Sequence, residues 1–329
     1  MKMRWWYALG VLALGLAEGV SGQLPGTAGR FAPEILRQRR VISAYSGQPL
    51  REGEWRQLIA ELEALAEAAR AAGDHEAVVA AGLLRAQAAI WLRQDQSLAL
   101  LWLNEIVEAY AARPPPNFGP VYSELAALYS AWGDEEAIQR LIALYRAGPA
   151  FDAVRYDYAV GVHPGSVKIV RPRGPGTAST TLTVLDMHLR RAALAPGKPL
   201  PMFAIETIDG VVLHAADLRG RHVLVDFWGP RWPFWAGARE AWIALYETHA
   251  DAFEILGVCL DARAAVAIKE LRAAGGRWPQ AAKPLRVARD WGVTGEALNM
   301  LAAPDGRILA WNVNPAQVRR YLSAGDGQK

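Results

Sequence analysis

The sequence predicts two folded units in series. The first is an all-α unit of helical hairpins. The second is an α/β unit with a central mixed sheet flanked by helices. Three observations predict this. Apolar residues recur with a helical period from about Pro33 to Ala147. Two continuous apolar runs, His222–Trp228 and Phe253–Asp261, read as strands covered on both faces, with a helical stretch between them. Asp305-Gly306 then separates two short β-type runs as a hairpin turn. A chain of 329 residues has room for two such units after a leader is removed.

The leader is residues 1–22. Lys2 and Arg4 form a basic start, Trp5 to Ala17 is an apolar run, and Val20 and Gly22 are small enough for a cleavage site. The run falls short of the ~20 residues that span a bilayer. The expectation is therefore an exported, periplasmic or extracytoplasmic protein with no stable membrane span in the mature chain. No cysteine follows the apolar run to carry a lipid anchor.

Residues 33–150 read as the helical unit. In EWRQLIAELEALAEAAR, Trp55, Leu58, Ile59, Leu62, Leu65, Ala66 and Ala69 fall on one helical stripe. The run stops at Gly73 and restarts at Asp74, a C′ glycine followed by an N-cap. Gly133-Asp134 repeats that punctuation, Gln94-Asp95 opens a helix between them, and Pro114–Pro116 forces a break. The shared Gly-Asp-x-Glu-Ala junction resembles tetratricopeptide-type repeats, although the period is irregular and the full consensus is absent. The indoles of Trp55, Trp91, Trp102 and Trp132 read as core residues rather than as the lining of a peptide groove.

Residues 151–198 form a β-rich joint. YAVGVHPGSVKIVRP reads as two short strands around His163-Pro164-Gly165, with His163 a solvated turn residue. TLTVLDMHLRRAAL is ambiguous and compatible with a short helix.

Residues 199–324 form the α/β unit. MFAIETIDGVVLHAADLRG gives a hairpin turning at Asp209-Gly210. Strand His222–Trp228, helix Ala236–His249, strand Phe253–Asp261 and helix Ala264–Ala274 follow. A hairpin of Asn299–Ala303 and Arg307–Trp311 and a helix at Pro315–Ser323 complete the unit. GKPLPMFAIETIDGVVLHAADLRGRHVLVDFW, then FEILGVCLD, RWPQ, WGVTG and PDGRIL, resembles the thioredoxin-like superfamily in its TlpA-like and AhpC/TSA (redoxin) branches, over about 125 residues. The resemblance implies a thioredoxin-like fold and, in the family's usual form, thiol-disulfide or peroxide chemistry.

The chain departs from that form where the chemistry sits. After VDFW the family carries W-C-x-x-C at a helix start. Here the segment is GPRWPFWAGA, which puts Trp232 and Trp235 at the two cysteine positions. The family chemistry needs a thiolate whose pKa is lowered at a helix N-terminus. An indole cannot form a mixed disulfide. The family's cis-proline position is taken by Ala297, and a cis bond before a non-proline residue costs ~3–4 kcal/mol, so a trans bond is expected. Asp226 matches the acid that assists the second cysteine, and reads here as a scaffold acid. Cys259 is the one cysteine, which excludes an internal disulfide, a CxxC pair and a cysteine-rich zinc site. It lies inside an apolar strand and reads as a buried structural thiol.

Trp228, Trp232, Phe234 and Trp235 form an aromatic turn where the family receives a partner peptide. Either the rings pack internally, or they are a binding surface for a protein or peptide partner. The formal charge of +3 gives no basis for nucleic-acid binding, and six scattered histidines make no metal-binding pair. No cofactor and no metal are expected. The sequence thus supports an exported, redox-inactive thioredoxin-fold protein acting in binding or assembly. The alternatives are a redoxin-type oxidoreductase using a non-standard route, and a helical scaffold whose second unit is only structural.

Overall fold

The computed structural model describes residues 29–45, 50–115, 118–148, 159–163, 166–170, 180–230, 232–293 and 298–325. Residues 1–22, expected to be a leader, the expected turn at Pro164-Gly165, and Ala297 lie outside the described residues. The chain divides into two units. One holds the described residues up to Tyr129, those from Glu136 through the sixth helix, and the segment ending at Asp186. The other holds Ser130–Glu135, the hairpin before Arg173 and everything from Met187. The joint is therefore shared between the two units.

The helical region is α1 (Ala32–Ala44), α2 (Glu52–Ala71), α3 (His75–Ala88), α4 (Gln96–Tyr110), α5 (Gly119–Trp132) and α6 (Glu135–Ala147), with the α5–α6 junction from Ser130 to Glu135 in the other unit. Helix α2 buries the stripe of Trp55, Leu58, Leu62, Leu65 and Ala69. At its start the Arg51 amide donates to the Glu54 carboxylate at 2.9 Å. Gly73 ends it at φ 71°, a conformation that favours glycine. The Asp74 carboxylate then accepts from the Ala77 amide at 2.9 Å and caps α3. Asp95 caps α4 the same way through the Leu98 amide. Between α3 and α4 the chain makes a π turn, Ala89–Arg93. Trp55 is buried and stacks on half-buried Trp102 with ring centroids 6.5 Å apart. Trp91 is half-buried, but Trp132 is exposed, against expectation. It sits at the last position of its helix, past the packed stripe.

The joint forms the hairpin β1 (Ala159–His163) and β2 (Ser166–Val170), with His163 opposite Ser166. The ambiguous stretch is helix α7 (Thr180–Ala192). Its buried Leu182, Leu185, His188 and Ala192 follow a helical spacing that the flanking threonines obscure in the sequence.

The second unit opens with β3 (Ala204–Glu206) and β4 (Val212–His214), an antiparallel pair joined through Gly210 at φ 78°. Then come β5 (His222–Trp228), α8 (Pro233–Thr248), β6 (Phe253–Cys259), α9 (Ala264–Ala273), α10 (Pro284–Asp290), β7 (Leu298–Ala302), β8 (Ile308–Trp311) and α11 (Pro315–Gly325). The sheet order is β6-β5-β7-β8. β5 and β6 are parallel; β7 is antiparallel to β5 and to β8. Every residue of β6, and all of β5 after His222, is buried, which is why both strands read as unbroken apolar runs. Helix α8 starts at Pro233, three residues before the expected start, because proline suits the first helical position.

Residues 279–282 extend this sheet. The Gly257 amide donates to the Pro279 carbonyl and the Ala281 amide to the Gly257 carbonyl, both at 2.9 Å. On the other side the Ile208 amide donates to the Gln280 carbonyl at 2.9 Å, and the Ala282 amide to the Glu206 carbonyl at 2.8 Å. This segment therefore ties the β3–β4 hairpin to the edge of β6.

Candidate functional site

The site lies where β5 ends and α8 begins. Trp232 is the N-cap of α8 and Trp235 its third residue, so the two indoles stand one turn apart at the helix start. The Trp235 and Ala236 amides both donate to the Trp232 carbonyl, at 3.0 and 2.9 Å. Trp228, Trp232 and Trp235 are all buried, with relative exposures of 1%, 8% and 6%. Trp228 and Trp235 stack, with centroids 4.3 Å apart and planes 19° from parallel. The Trp232 ring packs against Gly229, 3.3 Å from where a Cβ on that glycine would stand. These three rings are packed away from solvent rather than spread on a surface. The Phe234 side chain lies outside the described residues.

Asp226 sits under the turn on β5. Its carboxylate accepts a hydrogen bond from the Trp235 indole N–H at 3.2 Å. The acid is buried, opposite Asn299 of β7 and Gly257 of β6. Burial pushes its pKa up to about 7, and the Trp235 bond opposes that rise. An indole N–H thus reaches the buried carboxylate of β5.

Trp228 is held from the other side. Its N–H donates to the Gln280 side-chain oxygen at 3.0 Å. Gln280 is buried over Gly257, where a Cβ would run into the Gln280 side-chain amide and force it to shift. The sequence singles out RWPQ by resemblance, but the pairing of Gln280 with Trp228 has no local signal. The two residues are far apart in the chain and meet only through the 279–282 bridge to β6.

Cys259 ends β6, paired in register with Trp228. It is 1% exposed and is the free cysteine of the chain. Burial pushes its thiol pKa up to about 11, and the Asp261 and Asp226 carboxylates add to that. At neutral pH it is a protonated thiol, the opposite of an activated nucleophile. Among the described residues no group of three or more His, Cys, Asp or Glu side chains is arranged to hold a metal ion.

Strand β5, helix α8, parallel strand β6, the β7–β8 hairpin and a closing helix reproduce the order and directions of the thioredoxin sheet. The C-terminal unit has the thioredoxin fold. No protein-family model matches the chain, and no curated protein matches it. Solved structures do. The thioredoxin domain of a thiol-disulfide oxidoreductase from Bacteroides vulgatus is 23% identical, with 39% of this chain and 99% of that one covered at a TM-score of 0.35. A thiol:disulfide interchange protein from a Bacteroides species is 23% identical, with 41% and 96% covered at 0.36. A thiol:disulfide interchange protein of the thioredoxin family from Chlorobium tepidum is 21% identical, with 39% and 95% covered at 0.35. Each covers less than half of this chain.

Proposed function

We propose that this chain is an exported thioredoxin-fold protein without thiol redox chemistry, acting in protein binding or assembly. One observation carries the reading. The two positions that align with the reactive cysteines of the family it resembles hold Trp232 and Trp235, and the Trp235 indole N–H donates to the buried Asp226 carboxylate. The remaining thiol is buried and protonated. Thiol-disulfide exchange needs an accessible thiolate, and peroxide reduction needs one at the same turn. The aromatic turn then acts by its shape. Its rings fix the start of α8 from inside, and the exposed Ala236 and Gly237 are the parts a partner would touch. Among the described residues no helix is long and apolar enough to cross a membrane.

Insulin reduction and peroxide consumption, measured on the full chain and on Cys259→Ser, test this. Both proteins are expected to be inactive. Turnover that disappears in Cys259→Ser would replace this reading with an oxidoreductase acting through that thiol.

A further inference from the structure

The segment that leads into β3 displays a sulfur. The Gly197 amide donates to the Ile308 carbonyl at 2.8 Å, and the Leu200 amide to the Gly306 carbonyl at 2.7 Å. The Phe203 carbonyl accepts from the Ala215 amide at 3.1 Å. Met202 is therefore held between two fastened points, and its side chain is 76% exposed. Met187 and Met300 are 6% and 0% exposed, and Cys259 is buried, so among the described residues Met202 carries the sulfur that solvent reaches. Met202 also borders a recess of about 30 Å³, shared with Leu200, Leu218, Ala302 and Arg219. That is about the volume one water molecule takes up in the liquid. Arg219 donates through Nη1 to the Asp305 carbonyl at 3.2 Å, which leaves its other N–H groups for a further acceptor. A thioether accepts hydrogen bonds only weakly. Its sulfoxide is polar and accepts them through oxygen.

We infer that Met202 is a modification site for peroxides, oxidised to the sulfoxide, and that the recess receives the added oxygen beside Arg219. A lone pair on the Met202 Sδ attacks one peroxide oxygen, and the S–O bond forms as the O–O bond breaks. The sulfur is oxidised by two electrons and the peroxide is reduced. The proton of the transferred hydroxyl passes to the departing hydroxide and gives water. The step consumes one peroxide per chain and regenerates nothing, so it adds no peroxide turnover. The product ties the strap at Leu200 to the turn at Asp305 through Arg219, which the thioether does not do.

Dilute hydrogen peroxide on the native full chain, followed by peptide mapping at timed intervals, tests the inference. Met202 is expected to gain one oxygen about tenfold faster, or more, than Met187 and Met300. Met202→Leu changes an exposed side chain, so it should fold normally and leave the peptide that carries position 202 unmodified. Hydrogen exchange at the Leu200 amide, read before and after oxidation, tests the role of Arg219. Exchange should slow about threefold or more on oxidation, and the slowing should vanish in Arg219→Leu. The inference is overturned if Met202 reacts no faster than the buried methionines, if oxidation leaves Leu200 exchange unchanged or speeds it, or if the slowing persists in Arg219→Leu.

Discussion

Replacing Asp226 with Asn should remove a pH dependence built into the second unit. Burial raises the Asp226 pKa from its ordinary 3.8 to about 7. Between those values the folded chain holds a proton that the unfolded chain releases. Stability from this group is therefore fully present below the unfolded value and is lost as pH rises through the folded value. The whole span corresponds to about 4 kcal/mol, of which about 2–3 kcal/mol falls between pH 5 and pH 8. Asparagine keeps an oxygen for the Trp235 N–H and has no proton to lose. The variant should match the native chain near pH 4 and exceed it by several kcal/mol at pH 8. A two-unit chain need not unfold in one step, so the readout should be local. Amide hydrogen exchange in β5 and β6, corrected for intrinsic rates, provides it. The Cys259 thiol, with its pKa near 11, stays neutral across this window and does not confuse the comparison. Parallel stability profiles for the two proteins would refute the argument.

Three further outcomes follow from the same packing. Trp235→Phe keeps an aromatic ring but removes the donor to Asp226, and should cost about 1–3 kcal/mol in chemical unfolding while pushing the Asp226 pKa higher still. Gly257→Ala places a Cβ against the buried Gln280 amide, and should cost about 1–3 kcal/mol with a change in Trp228 fluorescence as the Gln280 bond shifts. Arg221→Met leaves buried Glu254 with the Tyr246 hydroxyl at 3.0 Å but without its guanidinium partner, also at 3.0 Å. A loss of about 1–3 kcal/mol in a thermal or urea melt is expected.

Much of the fold was legible because its elements obey local periodicities. The stripe of α2, the Gly73-Asp74 and Gly133-Asp134 junctions, and the unbroken strands β5 and β6 all appear where the residue pattern puts them. Helix α10 escaped because seven residues hold too few turns to show a period. The π turn at Ala89–Arg93 escaped because its residues are ordinary helix formers. The site was legible in part. Alignment on VDFW singled out Trp232, Trp235 and Asp226, which the structure brings to one turn, and Cys259 is buried in the strand that reads as continuous. That alignment did not reveal that the rings pack internally, or that Trp235 bonds to Asp226. Those facts depend on how the first turn of α8 returns over β5. The role of Gln280 was least legible, since it rests on a bridge between segments distant in sequence.

The central claim is that the thioredoxin frame here carries no usable thiol. Formation of a mixed disulfide is the step that all chemistry of that type shares, and intact-mass spectrometry of the native chain in oxidised glutathione measures it directly. The account predicts an unmodified native chain, with one glutathione added only after denaturation exposes Cys259. Modification of the folded chain at the rate of a free, exposed thiol would contradict it.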